Sequence, residues 1–209
     1  MEAILVNYNY SPDWLLDYPE LKPVTIFDRS DDGVNRNLER FGKVIKTPNV
    51  GQVDADKLGY LIDNYDNLPN VFLLAKANLF KSITKEEFDK GWPYTGFTPL
   101  LTQNHKTYSD NLGVVCYYEG GMYLERNNSW FFNELPSKHY RDFPSFARDF
   151  WIPNEPYIKF APGGNYVLTR EVIHKYSRDY YQRMRDLLPY AENPAEAHCL
   201  ERSYYYIWS

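Results

Sequence analysis

The sequence predicts an α/β fold, a single α/β/α sandwich around a central, mainly parallel mixed sheet, in one domain over residues 1–209. Short apolar, β-prone runs recur in the first half of the chain and alternate with segments of helical spacing. Residues 71–75 are continuously apolar, as in a strand that is buried on both faces. Polar loops follow these runs, where open α/β sheets bind their ligands.

In chain order, residues 3–6, 24–27 and 43–46 are predicted to form the first three strands. The longest early helix is expected next, because apolar residues recur there at i, i+3, i+4 and i+7, namely at Leu58, Leu61, Ile62 and Tyr65. Asp54 is its expected N-cap, and Pro69 ends it near Leu68. Residues 71–75 then form the fourth strand.

The second half carries weaker signals. Thr84 and Glu87 have the spacing of a capping box, and residues 91–111 are expected to form an excursion or lid. Residues 114–118 and 122–126 are predicted to pair as a hairpin.

Further helices are expected toward the C-terminus. Asp149 is predicted to lie among aromatic side chains in a helical segment, and Thr169 to cap the helix that follows. A helical stripe over residues 173–187 is interrupted at Ser177, and Asn193 is the expected N-cap of the last helix.

Composition excludes some classes of function. The net charge of −5 argues against a surface for polyanions, so no nucleic acid partner is expected. Apolar runs are too short to span a bilayer and no signal peptide begins the chain, which predicts no membrane span and a cytoplasmic location. The chain ends without a polar tail, as expected for a fragment of a longer polypeptide.

Common catalytic motifs are missing from the sequence. It contains no phosphate loop, no dinucleotide fingerprint and no nucleophile elbow, and the spacing of its four histidines makes no recognisable zinc site. Carboxylates and amides at strand ends remain, which suit Mg²⁺ or Mn²⁺ shared with a diphosphate.

Three segments compete for the metal. Residues 54–56 read D-x-D but lie where a helix begins. Asp28, Asp31 and Asp32 lie in a more suitable loop, although a solvated turn explains them almost as well. Residues 76–78 are best placed and have the weakest ligands, since Asn78 offers one carbonyl oxygen and Lys76 could itself hold a phosphate.

Several segments together resemble a family of glycosyltransferase-like domains of the GT-A type. They are Val6-Asn7-Tyr8-Asn9, Asp13-Trp14-Leu15, Phe27-Asp28-Arg29, Pro48-Asn49-Val50-Gly51, residues 60–69, residues 161–167 with Arg170-Glu171, and Glu201-Arg202. The densest part covers residues 49–69.

The resemblance implies a metal-assisted UDP-sugar site at the strand ends and an acceptor cleft beside it. A branch of the family in chlorella viruses helps to build the capsid glycan, which implies UDP-rhamnose or UDP-glucose as donor, a viral capsid glycoprotein as acceptor, and the host cytoplasm as location. This chain departs from the family where Lys76-Ala77-Asn78 replaces the usual D-x-D after the fourth strand. Asn78 is then the implied ligand of Mn²⁺ or Mg²⁺.

Site residues follow from the same resemblance, position by position. It places the nucleotide against Val6, Asn7, Tyr8, Asn9, Asp28, Arg29, Asn49 and Gly51, the diphosphate against Lys76 and Asn78, and the sugar or acceptor against Gly163, Gly164 and Asn165.

The catalytic carboxylate has two candidates in the sequence: Asp149 in its aromatic setting, and Glu201 with His198 on the last helix. An inverting transfer needs such a base, whereas in a retaining transfer the diphosphate can take the proton.

Two functions therefore stand side by side. One is a UDP-sugar-dependent glycosyltransferase. The other is a non-catalytic glycan-binding domain on the same fold, motivated by the missing D-x-D and by the aromatic residues between positions 92 and 151. A glycosidase is a third, more distant reading.

Overall fold

Two β-sheets form the frame of the protein. The computed structural model describes residues 1–31, 37–91, 96–101, 108–109, 115–119 and 122–209, with the backbone alone for 108–109 and 115–119. The larger sheet has six strands: β1 (Glu2–Asn7), β2 (Val24–Asp28), β3 (Lys43–Lys46), β4 (Val71–Lys76), β5 (Phe97–Pro99) and β10 (Tyr166–Thr169). The smaller sheet has four: β6 (Tyr108–Ser109), β7 (Val115–Glu119), β8 (Met122–Arg126) and β9 (Tyr157–Phe160).

The order in the larger sheet is β3-β2-β1-β4-β10-β5. β3, β2, β1 and β4 are parallel, while β10 runs antiparallel to both of its neighbours. The prediction of an α/β protein with a mainly parallel mixed sheet is confirmed. The predicted hairpin of β7 and β8 is confirmed as well, and its turn lies outside the described residues. β5 was not predicted, because it lies within the segment expected to be an excursion or lid.

Side chains of the central strands alternate between two apolar cores. In β1, Ile4 and Val6 belong to one core, and Ala3 and Leu5 belong to the other. Such burial on both faces explains why these strands read as continuous apolar runs.

Seven α-helices are found in the described part of the chain. They are α1 (Gln52–Asp63), α2 (Lys85–Asp89), α3 (Phe131–Glu134), α4 (Phe143–Asp149), α5 (Arg170–Ile173), α6 (Arg178–Arg185) and α7 (Ala195–Trp208). None of the helices in these ranges is both long enough and apolar enough to cross a membrane.

The two faces of the larger sheet are covered differently. α1, α6 and α7 contribute to one core. The other core is closed by α2 and by short 3₁₀ turns at Asp13–Asp17 and Leu79–Lys81, which pack the rings of Trp14, Tyr18, Phe80 and Phe88 together. The second helical layer expected of an α/β/α sandwich is therefore largely replaced by turns.

The start of α1 corrects the prediction for Asp54. The helix begins at Gln52, so Asp54 lies inside it rather than at its N-cap. Gly51 precedes the helix with a φ of 70°, and its backbone N–H donates to the carbonyl of Ala191 at 2.7 Å. The N–H of Gln52 donates to the carbonyl of Glu192 at 2.9 Å. Backbone carbonyls from a distant segment thus accept the hydrogen bonds at the start of α1, in place of an N-cap side chain.

Other helix ends agree with the sequence in part. The Thr84 hydroxyl accepts from the N–H of Glu87 at 3.2 Å, as the capping-box spacing predicts. The predicted interruption at Ser177 is confirmed, and the Ser177 side chain caps α6. Thr169 precedes α5, but its side chain makes no capping hydrogen bond. The last helix begins at Ala195, later than predicted, and the amide of Asn193 accepts from Gln52 instead of capping it.

Candidate functional site

A cavity of about 340 Å³ opens where β1 and β4 end. From β1 the chain builds outward through β2 and β3, and then crosses back to place β4 on the other side of β1. This is a topological switch point, the position at which open α/β sheets bind ligands. Seven of the predicted site residues line the cavity: Val6, Asn7, Tyr8, Arg29, Asn49, Lys76 and Asn78.

A second cavity of about 180 Å³ adjoins the first, because Gln52, Val53 and Lys76 line both. Four further predicted residues line it: Gly163, Gly164, His198 and Glu201. The structure therefore brings the end of β4, the glycine pair and one face of α7 to two adjoining cavities, which together are called the cleft.

Asn7 is held at the back of the first cavity. Its Nδ2 donates to Asp28 Oδ1 at 2.9 Å and to the Ser30 hydroxyl at 3.1 Å. Its Oδ1 is buried and has no partner within the described part of the chain. A buried acceptor in this state suits a ligand that brings an N–H or O–H group.

Asp28 supports Asn7 and lines neither cavity. Its carboxylate also accepts from the Ser30 hydroxyl at 2.6 Å and from Lys46 Nζ at 3.0 Å. Burial raises the pKa of Asp28, but the hydrogen bonds from Ser30, Lys46 and Asn7 outweigh it and hold the pKa below its usual value. Asp28 is therefore an ionised anchor behind the cavity wall.

Arg29 fixes the loop that carries Asn49. Its guanidinium is buried, forms an ion pair with Asp56 and donates to the backbone carbonyl of Val50. Asn49 in turn donates to the Glu192 carboxylate at 2.7 Å. Glu192 and Asn193, which also line the first cavity, were not predicted as site residues.

Tyr8 and Asn9 form the outer rim. The Asn9 amide donates to the Asp31 carboxylate at 2.7 Å, and the Tyr8 hydroxyl lies 3.4 Å from the same group. The negative charge of Asp31 raises the pKa of Tyr8. Tyr8 is half exposed, so its ring is accessible to a planar ligand.

The loop after β4 is tied down by its backbone. The N–H of Lys76 donates to Asn165 Oδ1 at 2.8 Å, and the N–H of Ala77 donates to the carbonyl of Val6 at 2.9 Å. The Ala77 carbonyl accepts from the Trp14 indole at 2.8 Å. Lys76 Nζ makes no hydrogen bond or ion pair with any residue that the structure describes.

Lys57 is a site residue that the sequence reasoning missed. It is 1% exposed, and its ammonium donates to the backbone carbonyl of Gly164. Burial lowers the pKa of Lys57 to about 8, against the opposing charge of Asp54. Asp54, Lys57 and Leu61 lie at i, i+3 and i+7, so a polar pair on an otherwise apolar helix face was the available signal.

The glycine pair lies between Lys57 and Glu201. Gly163 and Gly164 have φ angles of 96° and 67°, which disfavour other residues. A Cβ on Gly164 would lie 2.8 Å from Lys57 Nζ. The N–H of Gly163 donates to Glu201 Oε1 at 2.9 Å, so α7 holds this loop in place.

His198 and Glu201 form the α7 wall of the second cavity. The Glu201 side chain is 23% exposed. The His198 ring stacks on Phe131, and its Nε2 is buried without a partner in the described ranges. Burial and the nearby charge of Arg202 lower the pKa of His198, which keeps its ring neutral at pH 7.

Asp149 and Gly51 lie outside both cavities. The Asp149 side chain is 45% exposed and contacts the Tyr140 hydroxyl at 3.2 Å, so the expected enclosure by aromatic rings is wrong. α4 buries Phe143 and Phe146 on its inner face and turns Asp149 to solvent. Gly51 is needed for packing, since a Cβ there would lie 2.8 Å from the Cβ of Leu188.

The residues present do not fit the Mn²⁺ or Mg²⁺ site that the resemblance implies. Such ions need several oxygen ligands, usually including carboxylates. Asn78 is the single side-chain oxygen donor in its loop, and the described ranges contain no group of three or more His, Cys, Asp or Glu residues placed to hold a metal ion.

Comparison of the chain with protein-family models, curated proteins and solved structures found no match.

Proposed function

We propose that the protein is a glycosyltransferase that moves a sugar from a UDP-sugar donor to a glycan acceptor. One observation supports this most: two adjoining cavities at the carboxyl ends of β1 and β4 share Lys76. A donor of this class has a nucleoside and a sugar joined by an anionic diphosphate. Lys76 places a positive charge at the junction where that diphosphate would lie.

The larger cavity suits the nucleoside. Its volume of about 340 Å³ lies within the usual range for small-molecule sites. The unpaired Asn7 Oδ1 can accept from the N–H of a uracil base, and Tyr8 can stack on the ring. The choice of uridine, and of UDP-rhamnose or UDP-glucose, rests on the family resemblance, as does a viral capsid glycoprotein as the acceptor.

The smaller cavity suits the reacting sugar and the acceptor hydroxyl. In the proposed reaction the acceptor oxygen bonds to the anomeric carbon, the bond from that carbon to the diphosphate breaks, and UDP leaves. Glu201 is the candidate carboxylate that lines this cavity, so we assign it the proton of the acceptor hydroxyl. Neutral His198 beside it can accept a hydrogen bond from a sugar hydroxyl.

Release of UDP from a panel of UDP-sugars, with and without glycan acceptors, tests the proposal. We expect turnover of one donor, and a fall of about 10²- to 10⁴-fold in Glu201→Gln with UDP affinity unchanged. Asp149→Asn is the matched control, because it neutralises a carboxylate outside both cavities. A protein that neither binds UDP nor releases it from any donor would contradict the proposal.

A non-catalytic glycan-binding domain is the second candidate, and one exposed aromatic side chain favours it. Trp151 is 73% exposed, with its ring nearly parallel to that of Tyr180 at 6.3 Å. Exposed indole rings can stack on sugars. This candidate predicts glycan retention on an array that Trp151→Ala abolishes, with no binding of nucleotide.

A further inference from the structure

The loop after β4 carries a positive charge where the family resemblance implies a metal ion. We infer that this protein binds the diphosphate of its donor without a divalent metal, and that the Lys76 ammonium takes over the role of that metal. The inference rests on the proposed function and adds how the charge of the leaving group is balanced.

The oxygen atoms of the loop after β4 offer few ligands for a cation. The Ala77 carbonyl already accepts from the Trp14 indole at 2.8 Å, and the Asn78 carbonyl accepts from the N–H of Lys81 at 2.9 Å. One amide oxygen, Asn78 Oδ1, is left for a cation. Mg²⁺ and Mn²⁺ sites shared with phosphates usually include at least one carboxylate.

The carboxylates in and beside the cleft accept hydrogen bonds or form ion pairs within the protein. Asp56 is paired with Arg29, and Asp54 accepts from the Tyr204 hydroxyl at 2.8 Å. Glu192 accepts from Asn49 at 2.7 Å, and Glu201 Oε1 accepts from the N–H of Gly163 at 2.9 Å. Each carboxylate is tied to a partner, and the described residues bring no three His, Cys, Asp or Glu side chains together to hold a metal ion.

Two lysine side chains also disfavour a divalent cation beside the glycine pair. A Cβ on Gly164 would lie 2.8 Å from Lys57 Nζ and 3.7 Å from Lys76 Cε, so two lysine side chains flank the same backbone position. A divalent cation there would be repelled by both ammonium groups. Lys57 is offset by Asp54, its neighbour on α1, whereas Lys76 has no ion-pair partner among the described side chains. The diphosphate would supply that partner.

The role of Lys76 follows from the charge that develops in the reaction. As the bond between the anomeric carbon and the diphosphate oxygen breaks, negative charge grows on that oxygen. A positioned ammonium stabilises this charge in the transition state, as a metal would. Lys57 is a positioning residue, because its bond to the Gly164 carbonyl holds the loop beside Lys76.

Calorimetric titration of UDP into the metal-stripped protein tests the inference. We expect the same Kd in chelator, in Mg²⁺ and in Mn²⁺. Lys76→Met should weaken UDP binding by about 10- to 100-fold, the effect of losing a charge-assisted contact, and leave uridine binding unchanged. Lys90→Met is the matched control, since Lys90 is exposed and pairs with Glu86 on α2.

A variant that replaces the positive charge of the loop with carboxylates tests the inference in the opposite direction. Lys76→Asp combined with Asn78→Asp removes the ammonium and supplies two carboxylates, so UDP binding should become dependent on Mn²⁺. Wild-type binding that is lost in chelator and restored by Mn²⁺ would overturn the inference and leave the proposed function standing. Unchanged UDP affinity in Lys76→Met would overturn the role of Lys76. Absence of nucleotide binding under every condition would overturn both the inference and the proposed function.

Discussion

Lys57 brings a charge into the interior at the point where α1 meets the glycine loop. Its ammonium is satisfied by one backbone carbonyl, that of Gly164, and by the field of Asp54. A buried charge of this kind is unfavourable unless it is paired, and it gives up its proton more readily than an exposed lysine. The stability of the protein should therefore depend on pH in a window that this residue sets.

We predict that the free energy of unfolding of the wild type rises relative to that of Lys57→Met as the pH increases from 8 to about 10. The pKa of Lys57 is about 8 in the folded protein and about 10.4 in the unfolded chain, so the unfolded state binds more protons within this window. The difference should grow by up to about 1.4 kcal/mol per pH unit. Urea unfolding at several pH values measures it.

Asp54 increases the difference in unfolding free energy between the wild type and Lys57→Met. In the folded variant Asp54 lacks the positive charge of Lys57, so its carboxyl group keeps its proton to a higher pH than in the wild type. Lys90→Met, which removes an exposed lysine, should follow the wild-type profile. Parallel profiles for the wild type and Lys57→Met would show that Lys57 is not buried as described.

At the scale of elements, one ion pair joins α7 to the smaller sheet. Arg202 donates to Glu125 at 2.5 and 2.8 Å, and the two side chains are 3% and 4% exposed. The guanidinium also lies over the rings of Phe131 and Phe160. α7 also carries Glu201, so this pair helps to hold the helix that bears the proposed base.

Removing one partner of this ion pair should destabilise the protein more than replacing both partners with apolar residues. We expect Glu125→Gln to lower the free energy of unfolding by about 3–5 kcal/mol, since it leaves the buried guanidinium with only its longer contact to Glu201, at 3.7 Å. The double change Glu125→Met with Arg202→Met should lie closer to the wild type, because no buried charge remains. Urea unfolding of the three proteins compares them.

The matched control is Asp66→Asn, which removes the acid from the exposed pair with Arg178 and should change stability by less than about 1 kcal/mol. A loss in Glu125→Gln no larger than that of the control would contradict the prediction.

The elements themselves were largely predictable, and their ends were less so. The spacing of apolar residues predicts β4 and the body of α1, because that spacing reflects which side chains are buried. The beginning of α1 does not, because the carbonyls that accept from Gly51 and Gln52 belong to Ala191 and Glu192. A local sequence pattern indicates that a group is buried, but it does not indicate which distant residue that group contacts.

For the molecule as a whole, the cleft is closed by contacts between the two ends of the chain. Asn49 meets Glu192, Gln52 meets Asn193, and Asp54 meets Tyr204. Strand-end residues such as Asn7 and Lys76 could be predicted as site residues, since the carboxyl edge of a parallel sheet is readable from strand order. Glu192 could not, because only tertiary packing brings it there.

A ligand in this cleft should stabilise the whole molecule. At 100 times its Kd, UDP in chelator should add about 2.7 kcal/mol to the free energy of unfolding and raise Tm by roughly 5–10 °C. Lys76→Met at the same UDP concentration should show a much smaller shift, and Lys90→Met should match the wild type. Differential scanning calorimetry measures both. An equal shift in Lys76→Met would contradict the predicted role of the ammonium.

Because these contacts join residues that are far apart in the sequence, we expect the cleft to form late in folding. The three hydrogen bonds that close it join residues 143, 141 and 150 positions apart. Closing loops of that length is slow compared with forming local helices and turns. A folding intermediate with β1 to β4 already paired would still lack the wall formed by residues 192 to 201. The protein would then be able to bind its ligand only after the final step of folding, and a partly folded chain would not bind it.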